Sequence, residues 1–269
     1  SWPFGLLLML LTGICTLLGW KNAGLRVLGR RLVIPAAASV LALVLLLISG
    51  IREGIALAYF STAVFVFVTI SWNIGGAFFA RLKEDGAGIL KSGFRFASTS
   101  ARLIAGGLVH AGLVLVLIGI ISSSFYSREE TFVVKEGGVF QMEDYTLTLK
   151  RVREERDQVK DMVITEVEVI RNGKITGILS PQKHFHRNHE QPMTEIALDQ
   201  SLSRDLYLIL YGWDGDGNFS FRVIINPLIG LIWWGVVLMC LAGAWRMTSV
   251  LLERDRGRFS MQAGPFGRS

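Results

Sequence analysis

The sequence predicts a polytopic α-helical membrane protein with an extracytoplasmic antiparallel β-domain inserted before its last span. Three observations predict it. The 269 residues have a mean hydropathy of +0.44, and their apolar side chains come in blocks near the ~20 residues a membrane helix needs. Between the fourth and fifth blocks, about a hundred residues alternate apolar and polar side chains and are punctuated by turn signals. Charge divides along the same line: residues 124–222 hold 13 Lys and Arg against 17 Asp and Glu, a net of −4, so the remainder carries +10.

The five apolar blocks are Pro3–Trp20, Leu32–Gly50, Ile55–Ala80, Leu103–Ser123 and Pro227–Trp245. No charged segment precedes the first, so no signal-peptide pattern is expected there. Trp20 is placed as an interface anchor, followed by a loop with Lys21, Arg26, Arg30 and Arg31. The second block crosses to a tight turn at Ile51–Gly54. The third is long enough to tilt and returns to Arg81, Lys83, Lys91, Arg95 and Arg102. Within that connection, FRFASTSARL (residues 94–103) reads either as a helix lying on the membrane surface or as a plain basic connector. Of the 15 basic residues outside the acidic segment, 14 fall on one side of the bilayer under this topology. An outside N-terminus and an inside C-terminus follow from that bias.

The fourth block contains GGLVHAGLVLVLIGII, residues 106–121, with His110 its one titratable side chain. An imidazole at that depth is costly in lipid unless it is paired, which makes it a candidate functional site. Gly106 and Gly107 precede it by four and three residues, on roughly its face of a helix. A bare surface beside a histidine suits an axial haem ligand. It equally suits a small-residue helix contact with the imidazole bonded to a neighbouring helix.

Segment 124–222 is expected to form about seven short strands: Thr131–Val134, Tyr145–Leu149, Met162–Ile170, Lys174–Leu179, Thr194–Leu198, Leu206–Leu210 and Phe219–Ile225. That number suggests a small sandwich or barrel. Asn172-Gly173 marks a type I′ hairpin. After it, Asn226-Pro227 has the form of a helix start, with Asn as N-cap and Pro in the first turn. Residues 223–246 are assigned to the last span. Residues 247–269 are assigned to a basic cytoplasmic tail, mobile at the membrane surface.

Other chemistry is thin. His184, His186 and His189 in HFHRNH hold metal-ligand side chains, yet on a strand the first two share a face that the third leaves. Asp214, Asp216 and Asn218 begin like a calcium loop, but the sixth and twelfth positions are Phe219 and Ile225 where Gly and Glu are required. Cys15 and Cys240 both fall inside apolar blocks and suggest neither a disulfide framework nor a thiol site. There is no P-loop, dinucleotide fingerprint, HExxH or GxSxG, so no catalytic residue is assigned. The basic residues sit at span borders, which explains the pI without nucleic acid. One intramembrane ionisable side chain and no paired broken helices argue against a transporter.

From about Ala101 to Trp245 the chain resembles the C-terminal part of the CcmF (NrfE/CcmF) family of cytochrome c haem lyase subunits. GGLVHAGLVLVLIGI on a span, a β-rich domain, then RDLYLIL, a DG-containing turn and INPL leading into a Trp-containing helix carry the likeness. The resemblance implies a bacterial inner-membrane complex for cytochrome c maturation. Such a complex takes haem from haem-loaded CcmE, includes a CcmH-like subunit, and attaches haem to apocytochrome c through thioether bonds. It also implies a b-type haem between two transmembrane histidines, one of which maps onto His110 as a ligand of the haem iron, with Gly106 and Gly107 beside it. The family's WWD segment has no counterpart, since Trp233-Trp234 precede Gly235 within a span. Neither the two outer histidines of that segment nor the partner ligand has a matching position. The resemblance therefore implies one half of a lyase, a split subunit or a fragment, inactive without its WWD-containing half. Two other readings remain: a membrane-anchored β-domain that binds an exported partner without haem, and a ResB-like subunit of the other maturation system.

Overall fold

The computed structural model describes residues 2–18, 25–85, 88–157, 159–186 and 191–262. It divides into a helical unit, residues 1–121 and 231–269, and a second unit, Ser122–Gly230.

The helical unit begins with α1 (Trp2–Leu18), α2 (Leu25–Ile48) and α3 (Gly54–Asp85). A short α4 (Ile89–Thr99) follows, then α5 (Ala101–Tyr126), and after the second unit α6 (Gly230–Gln262). Four of these are long and apolar enough to cross a membrane: residues 31–48, 54–83, 101–126 and 230–251. α1 is a shorter apolar helix over residues 2–16. The protein is a polytopic membrane protein, and its exposed apolar side chains lie where lipid would solvate them. Of the two readings of residues 94–103, the structure shows a helix, α4, which ends at Thr99 before α5 begins.

Small residues let the helices close on one another, as expected where lipid removes the hydrophobic drive between spans. A Cβ at Gly5 would collide with the Tyr59 hydroxyl, and one at Gly13 would lie 2.6 Å from the Phe65 ring. Polar groups then bridge the spans. The Tyr59 hydroxyl donates to the Trp2 carbonyl at 2.6 Å, Asn73 Nδ2 to the Thr16 carbonyl at 2.7 Å, and Ser39 Oγ to the Ser61 carbonyl at 2.8 Å.

The second unit is a β-sandwich of strands β1 (Arg128–Val134), β2 (Val139–Met142), β3 (Tyr145–Arg156), β4 (Lys160–Arg171) and β5 (Lys174–Leu179), then β6 (Gln182–His186), β7 (Met193–Glu195), β8 (Ala197–Asp199), β9 (Arg204–Trp213) and β10 (Phe219–Pro227). One sheet runs β1-β10-β9-β8; the other runs β2-β3-β4-β6-β7, with β5 also on β4. The alternation read in YTLTL and LYLIL is the burial pattern: Tyr145, Leu147 and Leu149 face Leu206, Leu208 and Leu210 in one core. Phe140 stacks on Phe221 there, with ring centroids 5.7 Å apart. Asn172 (φ 50°) and Gly173 (φ 76°) make the expected hairpin turn, whose two positive φ values suit the Asn-Gly pair.

Two expectations are corrected. The strand expected over Thr194–Leu198 is two strands broken at Ile196, because β7 pairs with β6 in one sheet and β8 with β9 in the other. Asn226-Pro227 is not a helix start. These residues end β10, opposite Asp205 and Arg204, and α6 begins at Gly230. Proline is tolerated at that last rung because a strand end demands no further N–H. Of the expected tail, residues 247–262 are helical, and residues 263–269 lie outside the described residues.

Where the chain enters and leaves the sandwich, a charged cluster ties three turns together. Asp144 accepts from Arg204 Nη1 at 2.7 Å and from Arg171 Nε at 3.2 Å, while Glu143 accepts from Arg204 at 2.9 Å and pairs with Arg128 at 2.9 Å. Arg171 also lies 5.3 Å above the Tyr145 ring. Burial pushes the Asp144 carboxyl up, but its hydrogen bond from Arg171 and the two guanidinium charges outweigh burial and hold it below the usual carboxylate value. A carboxyl depressed in the fold stabilises it at pH above its unfolded pKa, about 3.9, and that contribution fades as pH falls through the lower folded value. Asp144→Asn should therefore lower the thermal midpoint of the β-unit at neutral pH. The gap to wild type should shrink as pH drops below about 3.9. A gap constant across that range, followed by circular dichroism, would refute the assignment.

Candidate functional site

His110 lies in the first half of α5, half-buried, with no hydrogen bond to its imidazole among the described residues. Its surroundings are set by glycines whose roles diverge. A Cβ on Gly107 would sit 2.9 Å from Ile74 Cδ1 and 3.0 Å from Ile70 Cγ2, so this glycine seats α5 against α3. A Cβ on Gly112 would come 2.6 Å from the Gly235 carbonyl oxygen and 2.6 Å from Met239 Cγ. Gly235 reciprocates, its Cβ position being 2.8 Å from Val116 Cγ2, so α5 and α6 meet backbone to backbone. Gly106 differs: nothing lies within 4 Å of a Cβ placed there.

Gly106 is one turn before His110 on the same helix stripe, so the imidazole stands beside an uncovered length of backbone. The two chemistries left open by the sequence thus fall on different residues. Gly107 and Gly112 are helix contacts, whereas the Cβ position of Gly106 is open. α5 approaches α3 at Gly107 and α6 at Gly112. A histidine one turn from an open glycine position has the chemistry to hold haem iron, and His110 and Gly106 are the residues that would do so.

A second opening runs along α3, a groove of about 560 Å³ lined by Phe67, Val68, Trp72, Gly75, Gly76 and Phe79 with Ser71. It is wholly apolar apart from the Ser71 hydroxyl and presents no ligand group.

The histidine-rich segment gives less. His184 sits on β6 with Nε2 3.0 Å from Gln182 Oε1 and 3.4 Å from Glu195 Oε2, while Nδ1 faces Lys160 Nζ at 3.5 Å. An ammonium beside the ring nitrogen is a poor setting for a cation. The His186 side chain and all of His189 lie outside the described residues. Among the described residues no three His, Cys, Asp or Glu side chains are grouped to hold a metal ion.

Asp214 closes the β9–β10 turn by accepting from the N–H groups of Asp216 and Asn218 at 3.0 and 2.9 Å, with Gly217 at φ 78°. These bonds hold the Asp214 carboxyl below its ordinary pKa, the Asn218 side chain contributing most. Its lone pairs are committed to the turn. Asp205, in the RDLYLIL segment, is 2% exposed and accepts from the Ser201 N–H at 3.1 Å. Burial pushes its carboxyl up, only partly offset by that bond. The sequence reading passed over Asp205 and the Asp144 cluster, because alternation identifies strands and not the partners that turns bring together.

Residues 125–227 match the family described as the CcmF C-terminal beta-sandwich. Over 246 residues, 90% of its length, the chain is 28% identical to a cytochrome c-type biogenesis protein CycK of Bradyrhizobium diazoefficiens, covering 36% of that protein. Over 134 residues it is 30% identical to the cytochrome c-type biogenesis protein CcmF of Escherichia coli K12, covering 50% of the chain and 21% of that protein. The fold matches a solved structure of cytochrome c heme lyase CcmF with a TM-score of 0.74 at 22% identity, over 91% of this chain and 39% of that one. The chain thus spans about a third of the length of relatives that it matches along most of its own. Helices before the sandwich, the sandwich itself and the helix after it all fall within these matches, and the chain is similar to part of the CcmF-type cytochrome c biogenesis proteins, its sandwich to their C-terminal one.

Proposed function

We propose that this chain works in cytochrome c maturation as part of a membrane haem lyase, and that His110 supplies one axial ligand of a b-type haem within the bilayer. The observation that carries the reading is the pairing of an intramembrane imidazole with the bare Gly106 backbone one turn away, in a chain similar to CcmF. When bound, such a haem supplies one-electron redox chemistry, suited to keeping a second haem ferrous while its vinyl groups meet cysteine thiols. His110 would present a neutral imidazole nitrogen to the iron. Gly106 would let the macrocycle approach the helix, and Gly107 and Gly112 would fix the ligand's direction by locking α5 against α3 and α6.

In this reading the second axial histidine lies on another chain or in the part of the relatives that this chain does not cover. Partners are the WWD-containing half, a CcmH-like subunit, haem-loaded CcmE and apocytochrome c. The host is the bacterial inner membrane, with the N-terminus and the sandwich extracytoplasmic and the basic connections and C-terminus cytoplasmic. Attachment activity is not expected from this chain alone.

The test is a reduced-minus-oxidised optical spectrum of the chain co-purified with its WWD-containing half, wild type beside His110→Ala. A b-type signal in wild type, lost in the variant at equal protein yield, is expected. A signal unchanged by the substitution refutes the ligand assignment. No haem in either sample favours instead a β-domain that captures an exported partner.

A further inference from the structure

The two ends of the sandwich differ. At the end where the chain enters at Arg128 and leaves at Pro227, the Asp144 cluster pairs its charges among themselves. At the other end β9 and β10 reach Trp213 and Phe219, and there lies a cleft of about 170 Å³. One sheet lines it with Glu154, Glu155 and Arg156 of β3, Asp161, Met162 and Val163 of β4 and Phe185 of β6. The other contributes Trp213, whose ring meets Phe185 edge-on at 5.8 Å. Both rings stay well exposed, Phe185 at 40% and Trp213 at 38%. Two residues back on the same strands, the Lys183 ammonium lies 5.9 Å from the exposed Tyr211 ring. Aromatic side chains left in water beside charged ones have the composition of an interface core.

The charges say what such an interface would take. Glu154 and Glu155 have no ion pair or hydrogen bond among the described residues, whereas Glu166 and Glu168 on the paired strand are matched by Arg153 and Lys150. The β3–β4 hairpin, residues 154–161, holds Glu154, Glu155, Asp157 and Asp161 against Arg156 and Lys160. Lys183 is bound to the Tyr211 carbonyl. The adjoining turns add Lys135, Glu136, Asp214 and Asp216, and residues 187–190, outside the described residues, add Arg187 and Glu190. The end is therefore acidic overall. Free carboxylates beside aromatic rings suit an ammonium or guanidinium, which gains an ion pair from the acids and a cation–π contact from the rings. The cleft is smaller than the ~300 Å³ at which small-molecule pockets begin, so it fits one long side chain better than a metabolite. Arg156, unpaired as well, has donors for the backbone carbonyls of the segment carrying that side chain.

We propose that this end of the sandwich docks a basic polypeptide segment, one Lys or Arg side chain entering the cleft beside Glu154, Glu155 and the Phe185–Trp213 pair. The inference does not rest on haem at His110.

The test uses the full chain in detergent and a peptide, Gly-Gly-Ser-Ala-Leu-Lys-Leu-Ala-amide, with fluorescein at its N-terminus. Anisotropy should rise and saturate as protein is added. Glu154→Gln with Glu155→Gln should weaken binding about tenfold, and a peptide with Glu in place of Lys should lose at least as much. Glu130→Gln, which removes an exposed carboxylate on β1, should bind as wild type does. Equal affinity of wild type and the double Gln variant would overturn the proposal. Equal affinity for the two peptides would overturn it by leaving only apolar contact. Tighter binding of the Glu peptide would overturn it in favour of an acidic partner held by Arg156. No rise in anisotropy with the Lys peptide would overturn it as well.

Discussion

Gly112→Val is expected to disrupt the helical unit, while the same change at Gly106 leaves it standing. At Gly112 the added carbon meets the Gly235 carbonyl oxygen and Met239 Cγ, both at 2.6 Å, and the carbonyl cannot rotate away. Overpacking against movable side chains costs about 1–3 kcal/mol, and a fixed backbone obstacle places this case at the upper end. α5 and α6 would have to separate, giving a lower thermal midpoint and faster proteolysis in detergent. A Cβ placed at Gly106 meets nothing within 4 Å, so the fold should survive while the haem site proposed beside it is obstructed. Equal thermal midpoints for wild type and Gly112→Val would contradict the backbone-to-backbone contact.

Phe221→Ala should remove about 3–5 kcal/mol from the β-sandwich, the usual cost of emptying a large buried aromatic site. Phe221 is fully buried on β10, the strand between β1 and β9, and stacks on Phe140 of the opposing sheet. Its loss opens a void that both sheets line, so neither can close it without shifting strands. Val133→Ala on β1 is the control: the side chain is 62% exposed, and a change within about 0.5 kcal/mol is expected. Chemical denaturation of the full chain, followed by the β-sheet signal, separates the two. A Phe221→Ala protein as stable as the Val133→Ala protein would refute the assigned core.

Much of the sandwich is legible in the sequence because its strands alternate cleanly. YTLTL, LYLIL and FSFRVII bury every second side chain, and the sequence spells that out. Two strands escape the same reasoning. β2 is only four residues, with Phe140 and Met142 its buried pair. β6 reads QKHFH, without a β-branched residue to mark it. Asn226-Pro227 shows a local signal overruled by pairing. Asn226 receives the Ser123 hydroxyl at 3.3 Å and Leu228 N–H donates to the Ser203 carbonyl at 2.9 Å, so the strand continues past the point where capping chemistry would start a helix. α6 shows the converse: hydropathy locates the end of the apolar stretch near Trp245, whereas the helix runs on through charged residues that are good helix formers.

The candidate site is legible only in part. His110 stands out because one imidazole in an apolar run has no bland composition to hide in. Gly106 and Gly107 cannot be told apart in sequence, being adjacent and chemically identical. Only the neighbours separate them: Ile70 and Ile74 fill the space over Gly107 and nothing fills that over Gly106. The family resemblance assigns no residue of this sequence as the second ligand of the proposed haem.

The central claim is that His110 binds haem iron, and replacing the ligand tests it more directly than deleting it. His110→Met in the co-purified complex, followed by redox titration of the b-type absorbance, asks what the iron itself feels. If His110 is an axial ligand, haem should be retained with a shifted α-band and a reduction potential raised well above wild type, since thioether ligation favours the ferrous state. A haem with the wild-type band and the wild-type potential would contradict the account and place both ligands elsewhere.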